Sequence, residues 1–231
     1  MSPPDLLTRR VETLYETDAR GRLVRSNEWD ARPAPRLHVM FTADGPICRF
    51  RGDVPDDLAL RLEDLCRRAP PAELGPGLPE IGAVLIAELA RHAPVRAVWC
   101  GPAYRLPEGA QIAGRAVAID PANAALLAAC FPDWIADASH RQPFVAVVEG
   151  GRAVALCASV RISGAVHCAG VETHADHRRR GHAASAVGAW AAAAQALGAT
   201  PFYSTAWENI ASQRVAARLG FELVGVDFHV T

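Results

Sequence analysis

No lysine occurs anywhere in the 231 residues, so the 24 basic side chains counted beside the acids are all arginine. That absence removes several chemistries at once. Without a lysine amine there is no Schiff base, hence no ordinary pyridoxal-phosphate enzyme, and no lysine nucleophile. A P-loop is also excluded, because its Gly-Lys-Ser/Thr ending cannot be written without lysine. Net charge of either sign is missing too. The formal charge is −1, which speaks against a dedicated nucleic-acid binder. None of the six cysteines, Cys48, Cys66, Cys100, Cys130, Cys157 and Cys168, forms a C-x-x-C pair or another zinc spacing. Most lie among apolar neighbours, as in VALCASV around Cys157, and read as buried reduced thiols of a cytoplasmic protein. The opening MSPPDLLTRRVETLY has no apolar core of the kind a secretory signal needs. The longest weakly polar run, 183–199, is mostly alanine and falls short of a membrane span. With no export signal in view, the adhesion-like tripeptide Arg51-Gly52-Asp53 reads as chance.

What is present is a chain half apolar, enough for a substantial core and long enough for one large domain or two small ones. Alanine, arginine, glycine and proline are heavily used, a bacterial-like composition that reflects coding bias. The first half predicts short elements at 5–16 and 22–28 around an Asp18–Gly21 turn. A hairpin is expected at 37–42 and 47–51, around Asp44-Gly45-Pro46. Helices follow at 56–68 and 80–92, separated by the Pro/Gly-rich stretch 69–79, then a short strand at 95–100. The run Gly101–Gly109 reads as a loop and a candidate domain boundary. The second half predicts a strand at 115–119 and helical material over 121–138, with Pro121 in its first turn. Strands at 144–149 and 153–161 flank Gly150-Gly151 as a hairpin. A strand at 165–174, a long helix, a strand at 201–206, a helix at 209–219 and a strand at 221–230 complete the chain. Asn209 suits the start of the late helix, Ile210, Ala211, Val215 and Leu219 an apolar stripe along it, and Gly220 its end.

The chemistry concentrates in VHCAGVETHADHRRRGHAASAVGAWAAAAQALGA, residues 166–199. A strand leads into the turn Arg178-Arg179-Arg180-Gly181-His182-Ala183, which opens a long helix. The first amides of a helix have no partner inside it, and the helix dipole adds positive charge at that end. A phosphate or pyrophosphate fits there on backbone alone. Gly181 lets that backbone approach the ligand. The dinucleotide fingerprint fails, since only one of its three glycines is present.

Arg-x-x-Gly-x-Ala at this turn resembles the acetyl-CoA signature of the GNAT N-acetyltransferase superfamily. Asn209-Ile-Ala-Ser-Gln-Arg-Val-Ala-Ala-Arg-Leu-Gly-Phe221 is similar to the family's late helix. From residue 113 onward the order of predicted elements is similar to the GNAT core. The resemblance implies an α/β fold with a mixed sheet, a GNAT-like acetyltransferase core over 113–231 and an N-terminal α/β domain over 1–112. The latter is compatible with a degenerate second copy of the fold. The resemblance further implies that acetyl-CoA is the cosubstrate. Its pyrophosphate would sit on the amides of Arg179, Arg180, Gly181, His182, Ala183 and Ala184, with charge-assisted contacts from Arg178 and the other arginines. Its pantetheine arm would pair with the strand edge at Val171 and Thr173, Val171 donating to the thioester oxygen. Asn209 and Ser212 would touch the arm or its thiol end.

Two candidates for the base stay open. Glu172 lies beside the expected thioester, but strand alternation turns it to the face opposite Val171 and Thr173. His167 shares their face and has a suitable intrinsic pKa, although a bulge would change that parity. The family's late-helix tyrosine is Ala216 here, so Tyr203, Ser212 or water is left as the acid for the thiolate. Tyr203 and Trp207 are candidates for the acceptor pocket or for the core. His174, His177 and His182 gather near the turn, but no carboxylate stands at ligand spacing, so no metal is expected. The expected activity is acetyl transfer to a primary amine of a small molecule or peptide. The alternative is a non-catalytic acyl-CoA-binding module. The expected partners are acetyl-CoA and the amine acceptor, without nucleic acid or membrane; a homodimer is compatible.

Overall fold

A computed structural model describes residues 3–28, 30–70 and 74–231. Residues 1–2 of the N-terminal segment and 71–73 of the Pro/Gly-rich stretch lie outside the described residues. In chain order the elements are α1 (Pro3–Leu14), β1 (Tyr15–Thr17), β2 (Leu23–Ser26), β3 (Leu37–Thr42), β4 (Gly45–Phe50), α2 (Asp56–Arg68), α3 (Glu80–His92) and β5 (Val98–Arg105). They continue with β6 (Val117–Ala118), β7 (Phe144–Glu149), β8 (Arg152–Ile162), β9 (Val166–Thr173), α4 (His182–Ala196), β10 (Thr200–Ser204), α5 (Ile210–Arg218) and β11 (Glu222–Val230). This is a mixed α/β fold. The chain divides into two compact units: Met1–Tyr104 with Ser204–Ile210 and Leu223–Thr231, and Arg105–Tyr203 with Ala211–Glu222. Among the described residues no helix is long and apolar enough to cross a membrane.

In the first unit the strands run in the order β4-β3-β11-β5. β3 pairs antiparallel with both β4 and β11, and all six of its residues are buried. One set of its alternating side chains, Leu37, Val39 and Phe41, joins Leu58 and Leu62 of α2 and Leu85 and Leu89 of α3 in one core cluster. The intervening residues form a buried polar group instead. Arg10 of α1 donates to both carboxylate oxygens of Asp227, with Nη1 at 2.8 Å. His38 places Nε2 3.5 Å from the same carboxylate and Nδ1 3.0 Å from the Tyr15 hydroxyl. Burial would raise the Asp227 carboxyl, yet Arg10 and His38 hold it well below the usual carboxylate range.

In the second unit the order is β10-β9-β8-β7-β6, with β10 parallel to β9 and the other pairs antiparallel. Gly150 and Gly151 take φ of 56° and 75°, the left-handed pair that a two-residue hairpin turn requires. α4 buries Ala184, Ala186, Val187, Gly188, Trp190, Ala191 and Ala194. The small residues let the chain at 113–115 cross the helix backbone to backbone. A Cβ on Gly188 would stand 2.4 Å from the Ala113 carbonyl oxygen, and one on Gly114 would stand 1.9 Å from that of Ser185. The Ser185 hydroxyl pins the crossing, accepting from the Arg115 amide and donating to the Arg115 carbonyl. α5 ends on Gly220, where the Phe221 amide reaches the Ala216 carbonyl and the Gly220 amide reaches that of Ala217. This is the Schellman arrangement.

Three expectations need correction. Residues 121–138 form no helix but three short 3-10 turns, at Ala124–Leu127, Pro132–Trp134 and Ala136–Ser139. Asp120 accepts the Ala122 and Asn123 amides at the start, a local side-chain turn that competes with helix, and Pro132 interrupts the middle. Residues 101–105 of the expected loop are the end of β5. Gly101 is needed there because a Cβ would lie 2.0 Å from the Thr205 carbonyl oxygen. On α5 the buried side is not the expected stripe: Ile210 is 52% exposed and Ala216 is fully buried.

Candidate active site

β9 and β10 pair only at Val166–Thr200, His167–Pro201 and Cys168–Phe202. Beyond Cys168 no pairing with β10 continues, while β8 still pairs with β9 up to Thr173. The direction of the freed amides follows from one hydrogen bond. The His174 amide donates to Val154 on the β8 side, 3.0 Å away. By strand alternation the amides of Glu172 and Gly170 face β8 as well. Those of Ala169, Val171 and Thr173 therefore face the side that β10 has left. The Thr173 carbonyl shares that side, and the Arg178 side chain folds back to donate to it through Nε, at 3.3 Å.

The turn follows directly. Arg179 and Gly181 have left-handed φ of 62° and 85°. The first backbone amide bonded onto α4 is that of Ser185, which reaches Gly181. Among the described residues no turn or cap hydrogen bond uses a backbone amide from Arg179 to Ala184. Arg178, Arg179 and Arg180 are exposed. Arg218, in the last turn of α5, places Nη1 3.7 Å from where a Gly181 Cβ would stand, adding a fourth guanidinium. Its signal in the sequence is the basic position two residues before Gly220, which belongs to the late-helix pattern and does not by itself mark a site residue.

The two base candidates lie in different surroundings. The one register irregularity between β8 and β9 sits in β8, between Ser159 and Arg161, so alternation along β9 is intact. His167 is 6% exposed. Its Nδ1 lies 2.8 Å from Ser159 Oγ, which also accepts the Trp190 indole N–H of α4 at 2.9 Å. Burial pushes the imidazole below its ordinary value. Glu172 is exposed, and Oε2 accepts the Trp134 indole N–H at 2.8 Å. Trp134 packs edge-on to Phe144 and lies under the Arg141 guanidinium, 5.5 Å from its centroid. It also closes over β9 at Gly170, where a Cβ would meet its ring at 3.1 Å. Trp134 is not visible as a site residue in the sequence, because 121–138 predicts helical material; only the Pro132-Asp133-Trp134 break hints at it.

The Tyr203 hydroxyl donates to Ser212 Oγ at 2.9 Å, from a ring 3% exposed. Asn209 is exposed, immediately before α5 in the first unit, with its amide on the Ala206 carbonyl at 3.0 Å. Trp207 packs against the core cluster of the first unit. The structure thus brings Val171, Thr173, Arg178–Ala184 and Arg218 around one edge and turn. It places Glu172 on the sheet face of Trp134, and His167 inside the packing of α4.

Residues 143–226 match the family model described as GNAT acetyltransferase. This segment is similar to the GNAT acetyltransferase family over 143–226, which is less than half of the chain. Solved structures similar to the chain include a GNAT-family acetyltransferase from Novosphingobium aromaticivorans, 22% identical, TM-score 0.49, covering 59% of this chain and 65% of that one. A GCN5-related N-acetyltransferase-like protein from Streptococcus suis is 14% identical, TM-score 0.48, covering 86% and 85%. A GCN5-related N-acetyltransferase from Kribbella flavida is 20% identical, TM-score 0.47, covering 63% and 62%. The chain spans just under two thirds of the length of the first of these. No curated protein matches it.

Proposed function

We propose that the chain transfers an acetyl group from acetyl-CoA to a primary amine of a small molecule or peptide, by direct attack on the thioester. The observation that carries this reading is the unpaired edge of β9 running straight into a turn of unclaimed amides. An extended pantetheine arm with amide groups can add to the strand edge at Val171 and Thr173, and the pyrophosphate to the amides of Arg179–Ala184. Arg178, Arg179, Arg180 and Arg218 supply positive charge against the phosphate oxygens. The cosubstrate, the acceptor and the site residues are part of the proposal.

The chemistry follows from the same placement. The acceptor ammonium first loses a proton to Glu172, whose carboxylate is held in place by the Trp134 indole. The amine lone pair attacks the thioester carbon, and the C–N bond forms. The Val171 amide donates to the oxygen as it gains charge. The C–S bond then breaks, the new amide nitrogen gives up its second proton, and the CoA thiolate takes up one proton, relayed by Ser212 or water so that the serine ends protonated. Tyr203 donates to Ser212 Oγ. His167 is assigned a structural role, since Ser159 occupies its Nδ1.

Acetyl-CoA should raise the melting temperature by linkage, and Gly181→Val should abolish that rise. The valine combines a left-handed φ of 85° with a branched Cβ where the phosphate would approach. A wild-type protein whose melting is unmoved at saturating acetyl-CoA would sink the proposal. A melting shift with no turnover across a broad amine panel would favour the acyl-CoA-binding module, a reading supported by Ala216, fully buried and without a hydroxyl.

A further inference from the structure

Outside the CoA edge, one cluster has a chemistry of its own. Glu149 is the last residue of β7, His177 ends the short turn Ala175–His177, and His182 is the first residue of α4. Glu149 Oε2 lies 3.1 Å from His177 Nδ1, and Oε1 lies 3.3 Å from His182 Nε2. One ligating atom from each of the three lies within 4.8 Å of the others. The two imidazoles are 11% and 13% exposed, and the carboxylate is 45% exposed. His182 Nε2 is buried and, among the described residues, has no hydrogen-bond partner, although a carboxylate oxygen stands beside it. A plain hydrogen-bonded trio leaves that nitrogen unexplained.

We propose that Glu149, His177 and His182 bind one divalent transition-metal ion, with zinc the best chemical match. Two imidazole nitrogens and one carboxylate oxygen are a borderline donor set of the kind zinc takes. A tetrahedral ion with bonds of about 2.0–2.1 Å holds its ligands roughly 3.3 Å apart. The two carboxylate–imidazole separations, 3.1 Å to Oε2 and 3.3 Å to Oε1, are close to that edge, and one ligand atom from each residue lies within 4.8 Å of the others. Three protein ligands leave a fourth position for water. The ion would tie the end of the β7–β8 hairpin to the first residue of α4 and so brace the arginine turn between His177 and His182. The sequence could not display this site, because its carboxylate comes from a strand 28 residues before the first histidine.

The test uses the full chain, stripped with chelator and titrated with ZnCl2 by calorimetry, with Co2+ as a visible-absorption probe of coordination. Wild type should bind one equivalent, rise in melting temperature with Zn2+, and show the intense absorption of tetrahedral Co2+. Glu149→Gln and His177→Ala should each weaken Zn2+ by about tenfold or more. A Cys48→Ser/Cys66→Ser protein and His140→Ala should keep the full equivalent. Glu149→Gln changes an exposed carboxylate to an isostere, so it stays informative if His177→Ala fails to fold. No Zn2+ binding by wild type, or undiminished binding by Glu149→Gln, would overturn the proposal. Because the readout is metal affinity, it stands or falls independently of acetyl transfer.

Discussion

At the scale of single residues, the two base candidates separate by what their side chains already do. His167 is engaged by Ser159 under Trp190, whereas Glu172 is exposed and held by one indole. On the proposed mechanism, Glu172→Gln should lower kcat by about 10²–10⁴ while leaving acetyl-CoA affinity unchanged, measured by steady-state kinetics and calorimetry. His167→Ala should lower the melting temperature, because it leaves a buried hydroxyl short of a partner, with kcat of the folded enzyme within a few-fold of wild type. Equal losses of kcat in the two variants would refute this division. The sequence made Glu172 and His167 visible as a pair on opposite strand faces. It could not weigh them, because Ser159, Trp190 and Trp134 reach them across the fold.

At the scale of elements, legibility followed local signals. α2 and α3 lie at the expected residues, since charged and apolar residues alternate there with helical period and the first and last turns carry acids and bases respectively. The hairpin around Gly150-Gly151 was equally plain, because few residues other than glycine fill two left-handed positions. The segment 121–138 misled because an alanine-rich run has high helix propensity, while Asp120 and Pro132 act locally against it. The crossing of 113–115 over α4 was invisible, as glycine at a close approach looks like glycine anywhere. That crossing gives a direct test. Gly188→Ala puts a methyl 2.4 Å from the Ala113 carbonyl oxygen, and neither partner is the flexible end of a side chain. The cost should be about 1–3 kcal/mol by urea denaturation. A Gly114→Ala/Gly188→Ala double variant should lose less than the sum, since one displacement of 113–115 relieves both.

At the scale of the molecule, the first unit places a buried ion pair where an all-apolar interior was available, and the pH dependence of stability should report it. The Asp227 carboxyl is held below its unfolded value near 3.9 by Arg10 and His38, against the opposing effect of burial. A carboxyl depressed in the folded state contributes stability that is fully present above the unfolded pKa. That contribution is lost as pH falls through about 4 toward the folded pKa. Wild-type urea midpoints should therefore fall as pH drops below about 4. Arg10→Met removes the cation and leaves the carboxylate buried, so stability at pH 7 should drop by about 3–5 kcal/mol. The acid limb should also flatten. With only His38 left to oppose burial, the carboxyl's folded pKa rises, and protonation relieves part of the cost of the buried charge. The variant should then gain stability relative to wild type as pH is lowered from 7 to 4. Parallel pH profiles for the two proteins would mean that Asp227 is not the group that sets the acid limit, and that Arg10 acts only by packing.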